Sequence, residues 1–306
     1  MKIDRRNFLK SFSAIGVSGI IGSPGKAFAS EDFRGYPDRL GMITDLTLCN
    51  GCRLCERACK EVHDLPPHKK PLEDKSVFEE IRRPDDKNLT VVNRYTNTNN
   101  GEEPVYRKVQ CNHCDEPACA SACLVSALKK TPEGPVIYNE DVCIGCRYCM
   151  IACPFYIPAY EFDDPISPEI KKCDFCYDVR IKKGDIPACA EICPVEALTF
   201  GKRSQLIKLA KVRIEKNPER YIDHIYGEHE VGGTSWMYIS GVPFEQLGFD
   251  MNLGRKPYPE LTSGFLSAVP LVFVIWPALL MGIHSFTKNR NRNSETNAEK
   301  SKQKGS

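Results

Sequence analysis

The longest apolar run of the chain lies close to its C-terminal end. Residues 265–286 form 22 consecutive positions without an Asp, Glu, Lys or Arg, and three basic residues follow within six positions. A helix of this length reaches about 33 Å at about 1.5 Å per residue, which exceeds the ~30 Å hydrocarbon thickness of a bilayer. The run therefore predicts one transmembrane helix at 265–286 and a polar, weakly structured cytoplasmic tail at 287–306. Because basic flanks stay in the cytoplasm, the body of the chain is expected on the outer side.

A second apolar stretch lies near the N-terminus, behind paired arginines. The segment "DRRNFLK" at 4–10 precedes apolar or small residues at 11–22, and "AFA" at 27–29 offers a small-x-small cleavage site. The arginine pair followed by Phe-Leu-Lys resembles the twin-arginine export signal. The apolar stretch at 11–22 is too short to span a bilayer. We therefore expect 1–29 to be a twin-arginine signal peptide.

Between these ends the apolar pattern is that of short strands and short helices. Runs such as "LTVVNRY" at 89–95 and "GPVIYN" at 134–139 are bounded by turns rich in Pro, Asn and Gly, which predicts strands. Residues 204–217 have one apolar face and lysines on the other, which predicts a bracing helix. The expected fold class is α+β, with a cysteine-rich domain at 30–202 and a C-terminal extension at 203–264.

Charge is distributed unevenly along the chain. The 306 residues have a formal net charge of +2, whereas residues 1–29 and 287–306 each carry +4, so the body between them is near −6 by difference. An acidic body lacks the basic patch that nucleic acid requires. Nucleic acid is therefore not an expected partner.

The sixteen cysteines fall into four blocks of four, with none left over. In chain order the blocks are Cys49, Cys52, Cys55 and Cys59; Cys111, Cys114, Cys119 and Cys123; Cys143, Cys146, Cys149 and Cys153; and Cys173, Cys176, Cys189 and Cys193. The first and third blocks share the pattern C-x-G-C-R-x-C-x-x-A-C. The second and fourth share a wider middle gap and the endings "CLVSAL" and "CPVEAL". This alternation indicates a duplicated two-block unit.

The cysteine spacing favours iron–sulfur clusters over zinc or disulfides. Three cysteines at i, i+3 and i+6 on a loop can converge on one cluster, while the fourth is carried away by a helix toward a neighbouring cluster. Zinc explains isolated C-x2-C pairs but not the repeated third cysteine. Disulfides would suit an exported chain, but cysteines this close are poor partners for each other. Four complete blocks predict four [4Fe–4S] clusters.

Spacing alone leaves the pairing of the blocks open. The spacers between Cys123 and Cys143 and between Cys153 and Cys173 are equal, whereas 51 residues separate the first block from the second. These lengths are compatible with pairing of the second block with the third, or of the third with the fourth.

These blocks, the "YGEHEVGGTSWMYISGVPFEQLG" segment at 226–248 and the C-terminal apolar run give the chain its resemblance to a known family. It resembles the four-cluster ferredoxin-like electron-transfer subunits of membrane-bound respiratory complexes. Within them it is most similar to the hydrogenase-2 electron-transfer subunit and to the iron–sulfur subunit of the high-molecular-weight cytochrome complex. The resemblance covers nearly the whole chain. Lys60 and Leu124 depart from the proline that follows the fourth cysteine at Pro154 and Pro194.

The resemblance implies two interleaved bacterial-ferredoxin-like modules, in which the second block pairs with the third and the first with the fourth. The implied ligand sets are Cys111, Cys114, Cys119 and Cys153; Cys143, Cys146, Cys149 and Cys123; Cys49, Cys52, Cys55 and Cys193; and Cys173, Cys176, Cys189 and Cys59.

Aromatic residues and histidines near the blocks receive structural interpretations. Six aromatic residues are expected to shield the clusters from water, namely Tyr148, Phe155, Tyr156, Tyr160, Phe175 and Tyr177. Because the blocks are complete, no metal is assigned to His63, His68 or His113.

The function that these features imply is electron transfer, without catalysis by the chain alone. We expect a subunit at the bacterial inner membrane, with its cluster domain in the periplasm. It would relay single electrons between a hydrogenase or multihaem cytochrome partner and an integral membrane quinone-reactive subunit in anaerobic respiration. The alternative is the β subunit of a formate-dehydrogenase-like or other molybdenum oxidoreductase complex. A self-sufficient oxidoreductase would need an open iron position, and a cysteine-stapled structural protein would lack iron.

Overall fold

The computed structural model describes residues 36–96 and 103–303. The expected signal peptide at 1–29 lies outside these residues. The described residues up to Leu261 form one compact unit, and those from Thr262 onward belong to a second.

The compact unit consists of short helices and short strands, which confirms the mixed helix and strand content expected from the sequence. Its helices are α1 (Leu54–Val62), α2 (Ala118–Ser121), α3 (Tyr148–Ala152), α4 (Ala188–Glu191) and α5 (Arg203–Lys216). Its strands are β1 (Leu40–Asp45), β2 (Val91–Thr96), β3 (Pro104–Val109), β4 (Leu128–Lys130), β5 (Val136–Tyr138), β6 (Ala159–Tyr160), β7 (Ile170–Lys171), β8 (Leu198–Lys202) and β9 (Trp236–Ile239). Turns of 3₁₀ helix lie at Lys75–Phe78, Ile181–Lys183, Glu230–Gly232 and Phe244–Leu247.

A three-stranded sheet joins distant parts of the chain in the order β8-β1-β9. β1 is antiparallel to β8, where Met42 lies opposite Phe200, and parallel to β9, where Met42 lies opposite Trp236. The remaining strands form antiparallel pairs, β2 with β3, β4 with β5, and β6 with β7. Of the runs predicted as strands, the one at 89–95 overlaps β2 and the one at 134–139 contains β5.

Helix α5 has the amphipathic pattern predicted for 204–217. Its buried residues Leu206, Ala210 and Ile214 pack against Ile43 of β1 and Met237 of β9. Apolar side chains on one helical stripe gain most of their stabilisation from this burial. Residues 203–261 therefore contribute one strand and one helix to the same compact unit as the cysteine blocks.

The helices that follow the cysteine blocks pack in pairs. α1 of the first block lies against α4 of the fourth block, and α2 of the second block lies against α3 of the third. These contacts bring together blocks that are far apart in sequence, and they divide the cysteine-rich region into two modules.

The duplication of the two-block unit is visible in the backbone. Four pairs of equivalent positions have a left-handed conformation, namely Gly51 and Gly145, Arg53 and Arg147, His113 and Phe175, and Ser126 and Glu196. A left-handed residue other than glycine costs about 1 kcal/mol, so its recurrence indicates a loop shape that both copies need. Gly51 itself has no substitute, because a Cβ atom there would lie 2.4 Å from the ring of Tyr106.

One long helix, α6 (Tyr258–Gln303), begins in the last residues of the compact unit and makes up the described part of the C-terminal unit, with Pro270 and Pro277 inside it. Its portion Tyr258–Lys288 is long and apolar enough to cross a membrane, with a mean hydropathy of 2.2 over the most apolar part. The prediction of a weakly structured tail at 287–306 was wrong as far as Gln303. The tail contains six Lys and Arg, which are good helix formers, and it extends an existing helix without a nucleation cost.

Glu56 on α1 is a buried carboxylate that joins three parts of the compact unit. It is 1 % exposed and accepts hydrogen bonds from Arg53 at 3.2 Å, from Arg82 at 2.6 Å and from the backbone N–H of Val92 at 2.6 Å. Burial alone would raise the pKa of Glu56, but the hydrogen bond and charge of Arg82 lower it below its ordinary value. The carboxylate thereby ties α1 to β2 and to the segment before it.

We predict that Glu56→Ala lowers the free energy of unfolding by about 3–5 kcal/mol, because it leaves two arginines without a buried counter-charge. The matched control is Glu61→Ala on the same helix, whose side chain is 67 % exposed in its pair with Arg57. That change should cost less than about 1 kcal/mol. The measurement is the denaturant midpoint of the anaerobically purified proteins, and equal midpoints for the two variants would contradict the role of Glu56.

Candidate metal centres

The sixteen cysteines all lie within the described residues, and none forms a disulfide. Their side chains gather into four sets, which we name A to D in their spatial order. Set A is Cys123, Cys143, Cys146 and Cys149; set B is Cys111, Cys114, Cys119 and Cys153; set C is Cys59, Cys173, Cys176 and Cys189; and set D is Cys49, Cys52, Cys55 and Cys193.

Sets A and D each line a pocket. The four cysteines of set A border a pocket with about 330 Å³ free of protein atoms, and those of set D border one of about 390 Å³. In each pocket the fourth cysteine comes from another block, Cys123 in set A and Cys193 in set D. Cys123 and Cys193 thus belong to different sets from the other three cysteines of their own sequence blocks.

Sets B and C are completed in the same way. Cys153 of the third block lies close enough to Cys114 and Cys111 of the second block to interact with them electrostatically. Cys59 of the first block has Cys189 and Cys176 of the fourth as neighbours. This is the grouping that the family resemblance implies. The assignment of the sulfur atoms as iron ligands stays a prediction.

The chemistry of the four sets fits iron–sulfur clusters. Burial raises the pKa of the Cys153 thiol to about 11 and that of Cys176 to about 12. Such sulfur atoms keep their protons near neutral pH unless a metal replaces them. Backbone N–H groups also point at sulfur, as from Ala127 to Cys123 Sγ at 3.1 Å and from Phe175 to Cys173 Sγ at 3.4 Å. Left-handed loops that present N–H groups in this manner are typical of iron–sulfur sites.

Electrostatic interactions between cysteines relate set A to set B and set C to set D. Cys119 of set B is an electrostatic neighbour of Cys149 in set A. Cys55 of set D is likewise a neighbour of Cys189 in set C. Each module therefore contains two adjoining sets.

Aromatic rings connect the two modules between set B and set C. His113, between two cysteines of set B, lies with its ring centre 4.9 Å from that of Phe175, between two cysteines of set C. Phe175 is 1 % exposed and also packs edge-on against Trp236 at 5.4 Å. The four sets thus follow one another in the order A, B, C and D.

Burial varies along this order. All four cysteines of set C are buried, and in set B only Cys114 is partly exposed. All four cysteines of set D are half-buried, and Cys146 of set A is exposed. The middle of the series is therefore enclosed, while both ends are close to solvent.

The aromatic residues expected to shield the sets do so only in part. Phe175 and Tyr177 are buried, and Phe155 and Tyr160 are half-buried. The prediction was wrong for Tyr148 and Tyr156, which are 54 % and 62 % exposed. Both side chains lie largely on the surface, and the Arg83 guanidinium lies 5.6 Å from the ring centre of Tyr156.

The histidines near the blocks have different surroundings. His63 Nε2 lies 3.7 Å from Cys176 Sγ and 3.3 Å from Asp174 Oδ1, close enough for the three residues to hold a metal ion. Cys176 belongs to set C, however, so this group adjoins a set already described. His113 is fully buried, and its Nδ1 accepts the backbone N–H of Val136 at 2.9 Å.

Sequence reasoning missed Lys108, which is 2 % exposed and lies beside sets C and D. Burial alone lowers the pKa of a lysine, but the sulfur atoms of Cys189, Cys55 and Cys173, once deprotonated, raise that of Lys108 above its ordinary value. A lysine in a six-residue strand gives no sequence signal of burial, and only its position three residues before a cysteine block pointed to the site.

Comparison with known proteins identifies the kind of domain that contains the cysteine blocks. Two models of the 4Fe–4S dicluster domain match the chain, at residues 48–127 and at residues 103–203. The fold and the sulfur sets thus define a ferredoxin-like protein with two dicluster domains. The chain binds four [4Fe–4S] clusters.

Relatives that match most of this chain show to which family it belongs. A protein of Nitratidesulfovibrio vulgaris is 50 % identical over 98 % of this chain and 82 % of its own length. The hydrogenase-2 operon protein HybA of Escherichia coli O157:H7 is 36 % identical over 83 % of this chain and 87 % of its own length. The iron–sulfur subunit of the nitrate-inducible formate dehydrogenase of Escherichia coli is 33 % identical over 67 % of this chain and 69 % of its own length. The chain belongs to this family of iron–sulfur electron-transfer subunits.

The sulfur grouping predicts unequal iron losses from two double variants. Cys111→Ala with Cys153→Ala removes two ligands from set B, so about four of about sixteen irons should be lost. Cys149 and Cys153 lie in the same sequence block but belong to sets A and B. Changing both to alanine removes one ligand from each set, so about eight irons should be lost. Iron per chain is measured after anaerobic purification. The reverse order of losses would overturn the grouping.

Proposed function

We propose that this chain is the electron-transfer subunit of a membrane-bound respiratory complex, with its cluster domain in the periplasm. It relays single electrons between a hydrogenase or multihaem cytochrome partner and an integral membrane quinone-reactive subunit. The chain forms no bond to a substrate. The observation that carries the proposal is the order of the sets, with an enclosed middle and two ends close to solvent.

In this proposal the sixteen cysteines of sets A to D are the ligands of the four clusters. When bound, each cluster takes up and gives up one electron with little change in coordination. The residues around the sets bury the sulfur atoms and donate backbone hydrogen bonds to them. Phe175 and Trp236 exclude water between the modules. Because every set has four cysteines, no iron is left open for a substrate, which supports a role without catalysis.

The proposed location rests on both ends of the chain. Residues 1–29 carry the arginine pair of an export signal, and basic residues follow the apolar helix. Together they favour a single C-terminal span at 265–286 in the inner membrane, with residues 287–306 in the cytoplasm. The domain from residue 30 onward then lies in the periplasm.

The partner proposal rests on the extent of the similarity. HybA is matched over 83 % of the chain, whereas the formate dehydrogenase subunit is matched over 67 %. The β subunit of a formate-dehydrogenase-like or other molybdenum complex is therefore the second candidate.

The test is anaerobic purification of the tagged chain from its native membrane in mild detergent, with mass spectrometry of the proteins that accompany it. A hydrogenase pair or a multihaem cytochrome, together with a multi-span protein, is the expected result. An untagged strain treated alike is the control. A molybdenum enzyme in their place would support the second candidate, and a chain recovered with its iron but without partners would contradict the subunit proposal.

A separate prediction concerns orientation. In spheroplasts, added protease should degrade the cluster domain and leave a C-terminal tag on a protected fragment. The variant Arg5→Lys with Arg6→Lys should stay in the cytoplasm and resist the protease, because the paired arginines are needed for export. Protection of the unmodified chain would contradict the periplasmic location.

A further inference from the structure

Lys108 lies where sets C and D meet. It is on β3, is 2 % exposed, and lines the pocket of set D. Its ammonium group is also an electrostatic neighbour of cysteines in both sets, namely Cys189, Cys55, Cys173 and Cys59. One buried positive charge is therefore shared by two sulfur sets.

The protein gives this ammonium group few partners of its own. Lys108 Nζ donates a hydrogen bond to Gln110 Oε1 at 3.2 Å and lies 4.5 Å from the ring centre of Trp236. Among the described residues, no carboxylate lies within ion-pair distance of it. A charge buried in this way needs an anion nearby, since neutral partners compensate little of the lost hydration.

Three other lysines with buried side chains have more partners than Lys108. Lys172 donates to the backbone carbonyls of Val136 and Cys173. Lys130 has Asp115 at 3.7 Å and donates to the carbonyl of His113 and to Ser235. Lys60 donates to two backbone carbonyls, those of Pro66 and Lys87. Lys108 has a single neutral acceptor among the described residues, so its compensating anion is expected in the adjoining sets.

We propose that the fixed positive charge of Lys108 tunes the clusters of sets C and D. With the lysine in place, the reduction potentials of these two clusters are higher than they would be without it. This inference rests on the proposed function of the chain. A cluster held by four thiolates is negatively charged, and reduction adds one further negative charge. A nearby positive charge therefore favours the reduced form, while the electron itself comes from the preceding carrier and no proton is transferred.

Gln110 and Tyr238 hold the lysine in place. Gln110 donates from Nε2 to the Tyr238 hydroxyl at 2.6 Å, and that hydroxyl donates to the backbone carbonyl of Lys108 at 3.2 Å. Gln110 and Tyr238 are each 1 % exposed. This closed ring of hydrogen bonds fixes the ammonium group relative to both sets.

The test is a redox titration of the full-length, anaerobically purified protein, followed by electron paramagnetic resonance. In Lys108→Met, two of the four midpoint potentials should fall while the other two stay in place. At each original midpoint the ratio of oxidised to reduced cluster should rise about tenfold, which is a shift of about 59 mV for a one-electron couple. Lys108→Arg keeps the charge and should keep all four potentials.

Two further variants separate charge from structure. Gln110→Glu places a carboxylate beside Nζ without removing the lysine, and it should lower the same two potentials even if Lys108→Met fails to fold. Lys130→Met removes a lysine near set B and should spare those two potentials. Unchanged potentials in Gln110→Glu and in an iron-replete Lys108→Met, or equal shifts of all four, would overturn the proposal. These potentials are measured on the chain alone, so the result does not depend on which partners the chain has.

Discussion

Each cysteine block gives one of its four cysteines to the set of another block, and the rest of the structure depends on this exchange. Cys153 and Cys59 leave the blocks that contain them in sequence and complete sets B and C, while Cys123 and Cys193 complete sets A and D. No set is whole until two helices from different blocks have packed against each other. The pairing of α1 with α4 and of α2 with α3 is thus a condition for holding metal, as well as a source of stability.

The two modules treat buried charge differently although they descend from one pattern. Near set B, Lys130 and Arg39 both contact the carboxylate of Asp115, so these two cations share an anion within the protein. Beside sets C and D, Lys108 has no such carboxylate among the described residues. The potential of a cluster depends on the charges and hydrogen bonds around it. Similar loops can therefore give their clusters different potentials.

Sequence predicted the local features of this protein better than the distant ones. The family resemblance implied the grouping of the sulfur atoms, which cysteine spacing alone left open, and periodicity predicted α5 and β2. Neither could predict the pairing of β1 with β9, because the local sequence does not determine which strands nearly 200 residues apart will pair. The exposure of Tyr148 and the burial of Lys108 were missed for a related reason. Both depend on what the rest of the chain places over them.

The order of strands in the central sheet has a consequence for biosynthesis. Sets A and B draw all their cysteines from residues 111–153, so their module is available early in translation. The other module needs Cys59 near the start of the domain and Cys193 far downstream, and its sheet closes only when β9 at Trp236–Ile239 has left the ribosome. Chains fold as segments become available. The module of sets A and B therefore matures first, and half-finished chains expose the thiols of sets C and D.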